Sequence, residues 1–255
     1  ALYEVIGKKI YLTDVGKELA VTARAVAQTW DAFEQNVDAA KGLSRGKLRV
    51  AVVSTAKYFM PHLIGSFCNK HPAIDVSLEI LNRDGVVQRL RENLDDLYIM
   101  SMPPKDMDLG GEAFMPNPIV LIAPNADPLA KRSQIGLHEL AQRRFIVREK
   151  GSGTRMAADQ FFRKMKFRPD IRLELGSNEA VKESVAGGLG LGVVSRHALH
   201  GLKKENGVSV IDIEGFPVSS AWHIVHPASK KLSPLALAFK KHMIQEVGRR
   251  KRPLV

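Results

Sequence analysis

Between Thr13 and Lys41 the positions Val15, Leu19, Thr22, Val26, Trp30, Phe33, Val37 and Ala40 recur at steps of three and four, with no Gly or Pro after Gly16. That period predicts one amphipathic helix of about eight turns, ended by Gly42-Leu43-Ser44-Arg45-Gly46. A long helix ahead of a domain must bury its stripe. Pairing with a copy of itself is the economical solution, and docking on its own domain is the alternative.

After Gly46 the pattern changes to short apolar runs alternating with helical ones. Lys47 to Val53, Ile74 to Leu81 and Leu97 to Met102 read as strands, separated by helices from Pro61 to Lys70 and Val86 to Glu92. Gly111 to Phe114 and Ile119 to Ala123 add two strands. A second series follows: strand Phe145 to Val147, helix Thr154 to Lys166, strand Ile171 to Leu175, helix Asn178 to Ala186, strand Leu191 to Ser195. Ala221 to His226 is a further strand, and Pro234 to Val247 a last helix. Two βαβαβ runs imply two parallel-sheet lobes of Rossmann-like α/β fold. The turn-rich Pro124-Asn125-Ala126-Asp127-Pro128 and Pro227 place the crossings, so that 47–124 with 227–248 form one lobe and 125–226 the other.

In open α/β sheets ligands sit beyond the carboxyl ends of the strands. That rule gathers Ser54, Thr55, Asn82, Arg83 and Ser101 from the first lobe and the segment Arg148 to Arg155 from the second. The segment reads Arg-Glu-Lys-Gly-Ser-Gly-Thr-Arg, a glycine turn between a strand and a helix. Backbone N–H groups of Gly151, Ser152 and Gly153, a cap from Thr154 and the positive helix end suit an anion, although the same turn serves as a plain connector. The Gly-Lys-Ser/Thr ending of a nucleotide-triphosphate loop is missing, which argues against nucleotide hydrolysis. Ser54, Thr55 and Ser177-Asn178-Glu179 open helices, where capping competes with ligand binding.

Other motifs fall away. Gly187-Gly188-Leu189-Gly190-Leu191-Gly192 follows a helix and precedes a strand, the reverse of a dinucleotide fingerprint. The pairs His197/His200 and His223/His226 lack further metal ligands, Asp95-Asp96 point to opposite sides, and no nucleophile elbow exists. An enzyme is therefore not expected. The net charge of +11 suggests nucleic acid, but residues 240 to 255, ending Arg249-Arg250-Lys251-Arg252, hold six basic residues against one acidic. Nearly half of the excess is thus a terminal run rather than a binding face. Cys68 cannot form an internal disulfide, no apolar run approaches a membrane span, and the N-terminus reads unlike a secretion signal, so a cytoplasmic protein without membrane contact is expected.

Leu2-Tyr3-Glu4-Val5-Ile6-Gly7-Lys8-Lys9-Ile10-Tyr11-Leu12-Thr13-Asp14-Val15-Gly16 resembles the end of the winged helix-turn-helix of LysR-type transcriptional regulators, where the wing runs into Leu-Thr-x-x-Gly and a linker helix. The remainder is similar to their effector-binding domain across essentially the whole chain. Gly-Lys-Lys-Ile-Tyr-Leu-Thr, Arg-Glu-x-Gly-Ser-Gly-Thr-Arg and Gly-Leu-Gly-Leu-Gly-Val-Val-Ser look most like the regulators of Calvin-cycle operons. The resemblance implies a periplasmic-binding-protein-like pair of lobes, a wing remnant over 1–12, a dimerising linker over 13–43, and a homodimer or homotetramer. It implies an anionic effector, such as a sugar phosphate, a phosphorylated carboxylate or NADPH, held by Ser54, Thr55, Arg83, Ser101, Arg148, Ser152, Thr154 and Arg155. Promoter DNA would be read by helices expected upstream of Ala1, leaving Lys8 and Lys9 at most a phosphate contact. A solute-binding protein of a transporter shares the two-lobed architecture and is the alternative.

Overall fold

The computed structural model describes residues 1–39, 45–199 and 207–249. The predicted helix end at Ala40 and Lys41, its terminator Gly42 to Ser44, His200, and the tail from Arg250 lie outside the described residues.

Strands β1 (Tyr3–Ile6) and β2 (Lys9–Leu12) form a hairpin. Gly7 and Lys8 both take positive φ at its tip, the turn that matches strand twist. Helix α1 (Asp14–Ala39) begins at once. The Thr13 hydroxyl accepts from Gly16 N at 3.0 Å and donates to the Ala1 carbonyl, capping the helix against the hairpin. A Cβ on Gly16 would sit 1.9 Å from the Leu2 carbonyl oxygen, so only glycine fits there. The Leu-Thr-x-x-Gly signature is therefore a packing requirement. The apolar stripe of α1 is open: Val26 is 66% exposed and Trp30 62%.

The first lobe has the strand order β4-β3-β5-β12-β6, with β3 (Gly46–Val53), β4 (Ile74–Leu81) and β5 (Leu97–Ser101) parallel. Strand β12 (Ala221–Pro227) joins β5 antiparallel, and β6 (Leu109–Pro116) completes that edge. Helices α2 (Met60–Lys70), α3 (Arg83–Arg91) and α6 (Pro234–Arg249) contribute Phe67, Leu90 and Phe239 to one core with Val50, Ile99 and Trp222.

The second sheet runs β11-β7-β10-β8-β9. Here β8 (Arg144–Arg148), β9 (Asp170–Leu175) and β10 (Leu191–Ser195) are parallel, β7 (Ile119–Pro124) is antiparallel to β10, and β11 (Val208–Val210) is the edge. Helices α4 (Gly153–Lys164) and α5 (Asn178–Ala186) cover the two faces. Alternate residues of β7 serve separate cores, Ile119 and Leu121 on one side and Val120 and Ile122 on the other.

The expected lobe boundaries, with β7 in the first lobe and β12 in the second, need correction, because each strand hydrogen-bonds into the opposite sheet. The chain crosses at Asn117-Pro118 and returns at Val218 to Ser220. These crossings lie side by side, with Asn117 N donating to the Ser220 carbonyl at 2.8 Å and Ile119 N to that of Val218 at 3.0 Å. The turn at 124–128 lies wholly on the second lobe. Turn chemistry marks where a chain bends, whereas sheet membership depends on which open edge receives the next strand.

The glycine-rich segment after α5 is also explained by packing. Gly188 takes φ +77° just past the helix end, and a Cβ on Gly190 would meet the Arg144 carbonyl oxygen at 2.4 Å. A Cβ on Gly192 would lie 2.7 Å from Val185 and 2.9 Å from Ile122, so this glycine lets α5 lie down on β10. Gly192→Ala is expected to cost about 1–3 kcal/mol by overpacking, lowering the melting temperature by several degrees. Thermal unfolding followed by circular dichroism checks this.

Candidate functional site: the seam between the lobes

The carboxyl ends of β3, β5 and β8 converge on one seam. Arg148, last residue of β8, is only 1% exposed. Its Nε and Nη2 donate to the two carboxylate oxygens of Glu149 at 2.8 and 3.0 Å, its Nη1 to Asn178 Oδ1 at 3.0 Å, and Nη2 also to the Gly176 carbonyl. A buried guanidinium is stable only with such partners. Nη2 additionally donates to Ser54 Oγ at 3.2 Å, which joins the second lobe to the first.

Two close approaches explain the glycine turn. Gly153 opens α4, and a Cβ there would meet Ser101 Oγ at 2.5 Å. Gly151, at φ +86°, faces Asp84, whose backbone N donates to its carbonyl at 3.2 Å. The cap position of α4 is Ser152 and not Thr154 as expected, and its hydroxyl makes no capping bond. Thr55, Ser101, Ser152 and Thr154 are all buried, and among the described residues none of their hydroxyls has a hydrogen-bond partner. Asn178 Nδ2 is likewise buried without an acceptor of hydrogen-bonding geometry, with the Tyr58 hydroxyl as a polar neighbour. Ser101, Ser152 and Thr154 thus present unpaired hydroxyls at the positive end of α4.

The other predicted residues are committed elsewhere. Arg83 donates through Nε to the Met102 carbonyl at 2.7 Å and pairs with Asp84, tying the end of β5 to α3. Arg155 turns to Asp159, Glu174 and the Arg148 carbonyl, bracing α4 against β8 and β9. Asn82 and Ser177 act as caps, accepting from Gly85 N and Ala180 N. Asp95 and Asp96 are structural, bound by Arg89 and by the backbone of Arg49.

Sequence reasoning missed a latch across the seam. Glu179 of α5 accepts from Tyr58 Oη at 2.5 Å and pairs with Lys57 Nζ at 2.9 Å. Burial alone would raise the Glu179 carboxyl, but the bonds from Tyr58 and Lys57 outweigh it and lower the group to about 2. The Tyr58 phenol is pushed up by burial and by the adjacent carboxylate. Nothing in the spacing of Lys57-Tyr58 and Glu179 announces this pair, because it exists only once the lobes meet. Among the described residues no group of three or more metal-binding side chains occurs, and no helix is long and apolar enough to cross a membrane.

Known proteins share this fold. The LysR substrate binding domain matches residues 41–248. The chain is 40% identical over 243 residues to the HTH-type transcriptional activator CmpR of Synechocystis, covering 95% of this chain and 80% of that protein. It is 42% identical over 242 residues to the RuBisCO operon transcriptional regulator of Acidithiobacillus ferrooxidans, covering 95% and 78%. Among solved structures, the regulatory domain of Synechocystis CcmR in complex with 2-PG superposes with a TM-score of 0.78 at 42% identity, covering 80% of this chain and 98% of that one. A full-length OxyR variant of Pseudomonas aeruginosa, at 19% identity and a TM-score of 0.76, covers 100% of this chain and 81% of that one and shares the fold. The relatives matched in sequence are transcriptional regulators, which sets aside both an enzyme and the transporter alternative. The chain belongs to the LysR-type transcriptional regulators, and residues 41–248 are their substrate-binding, or effector, domain.

Proposed function

We propose that this chain is the effector-sensing part of a cytoplasmic regulator of carbon-fixation genes, and that a small phosphorylated carboxylate binds in the seam between its lobes. The observation that carries the reading is the set of unpaired hydroxyls on the buried residues Ser101, Ser152 and Thr154 at the first turn of α4, with Thr55 next to Ser54 on the facing lobe. An anion there accepts from those hydroxyls and from the free N–H groups of the helix. Arg148 holds the seam closed through Ser54, while Arg83 and Arg155 stiffen its walls. The 2-PG-bound CcmR domain and the RuBisCO operon regulators support the ligand class and the target genes.

Binding across two lobes favours the closed arrangement only by its differential affinity, typically about 1–3 kcal/mol of coupling. A homodimer built on the exposed stripe of α1, or a tetramer of such dimers, would carry the change to DNA-reading helices on promoter DNA.

Calorimetric titration with 2-phosphoglycolate, ribulose bisphosphate, phosphoenolpyruvate and NADPH tests the site. Ser152→Ala and Thr154→Ala are each expected to weaken the preferred anion roughly tenfold or more, since a charge-assisted hydrogen bond contributes about 1.5–3 kcal/mol. Unaltered affinity in both variants sinks the assignment.

The latch predicts a pH response with a definite sign. Glu179 sits below its ordinary 4.5, so its contribution to the closed form is complete above that value and is lost as the pH falls from about 4.5 towards 2. Urea unfolding of the wild type is expected to lose stability over that window relative to Glu179→Gln, which removes the titrating group. Phe33→Glu on the open stripe of α1 is expected to lower the oligomeric state in sedimentation while leaving effector affinity unchanged.

A further inference from the structure

Among the described residues Trp222 is the largest fully buried side chain, and its indole Nε1–H has no hydrogen-bond partner. A buried donor left unpaired costs about 1–3 kcal/mol, so its retention here calls for an acceptor. The position is informative. On β12, Trp222 lies directly opposite Ser101 of β5, and directly opposed residues share a face of the sheet. That face at Ser101 looks onto Gly153, the first residue of α4 in the other lobe. Trp222 itself spans the seam: its ring packs 4.6 Å from Phe59 of the first lobe and 4.5 Å from His197 of the second, centroid to centroid.

Resting on the proposed anion site, we infer that Trp222 is a specificity-determining donor: its indole N–H hydrogen-bonds the carboxylate of the effector while the first turn of α4 holds the phosphate. The spacing selects for a short molecule. Ser101 lies directly opposite Trp222 and touches the α4 start on its other side, so the ligand has to bridge only neighbouring elements. An indole N–H donates and cannot accept, so the inner end of the ligand must offer an oxygen lone pair and not a hydroxyl proton. A phosphate monoester with an alkyl end fills the outer half of the site and leaves the indole unpaired.

The test compares 2-phosphoglycolate with methyl phosphate, which lacks the carboxylate, on the whole chain. Trp222→Phe keeps an aromatic ring and removes the donor. It is expected to bind 2-phosphoglycolate about tenfold or more weakly while its affinity for methyl phosphate is unchanged. Equal binding of 2-phosphoglycolate by wild type and variant overturns the inference and leaves the anion site standing. Equal loss of both ligands assigns Trp222 to packing alone and also overturns it. Failure of the wild type to bind either ligand removes the underlying site itself. A second measurement avoids dependence on the folding of that variant. The chain has two tryptophans, so Trp30→Phe leaves one indole N–H signal in a proton–nitrogen correlation spectrum. That signal is expected to move downfield with 2-phosphoglycolate and to stay in place with methyl phosphate. A signal that responds identically to both ligands overturns the donor role.

Discussion

Everything in this molecule hangs on the double crossing at Asn117-Pro118 and Val218 to Ser220. Each sheet has three parallel strands, then an antiparallel strand delivered from the other lobe, β7 to the second and β12 to the first, and last an edge strand, β11 or β6. Both delivered strands are central, flanked on each side by partners, and both carry core residues such as Leu121 and Ile224. The lobes therefore cannot be separated into independent halves without opening both cores. The paired crossings are themselves hydrogen-bonded, with Val218 N donating back to the Ile119 carbonyl at 2.9 Å, which gives the lobes a two-stranded hinge.

On that hinge, the seam is held by polar contacts of unequal depth. Arg148 is desolvated, and its partners Glu149 and Asn178 come from its own lobe, so its burial is compensated before the lobes meet. Only the bond to Ser54 depends on closure. Glu179 with Lys57 and Tyr58 is a shallower contact, its charge in part screened by solvent, and so is weaker per pair. A rigid second-lobe surface with a few closure-dependent bonds is an arrangement that a ligand's own hydrogen bonds can bias. Arg155 supplies part of that rigidity through Asp159 and Glu174.

The long helix, both βαβαβ runs and most strand bounds were legible because they rest on local periodicity. The helix Asn178–Ala186 and the strand Leu191–Ser195 occur as the pattern predicts. Gly16, Gly153 and Gly192 were visible as glycines, but their reasons, a carbonyl, a serine hydroxyl and two aliphatic side chains from distant segments, were not. At the seam, the strand-end rule brought Ser54 and Ser101 to the 148–155 segment, since it follows from parallel-sheet topology. It could not say which arginine faces the seam, because that depends on which carboxylates lie within reach.

The sequence alone therefore determined the α/β class, the amphipathic stripe of α1, the glycine turn between β8 and α4 and the family, all properties carried by neighbours along the chain. The tertiary structure decided the exchange of β7 and β12 between lobes, the burial of Arg148, the latch at Glu179 and the unpaired indole of Trp222. They arise between segments far apart in the chain, as the bond between Arg148 and Ser54 does. Their existence depends on which sheet edge captures which strand, a choice made by the competition among whole cores and by no local pattern.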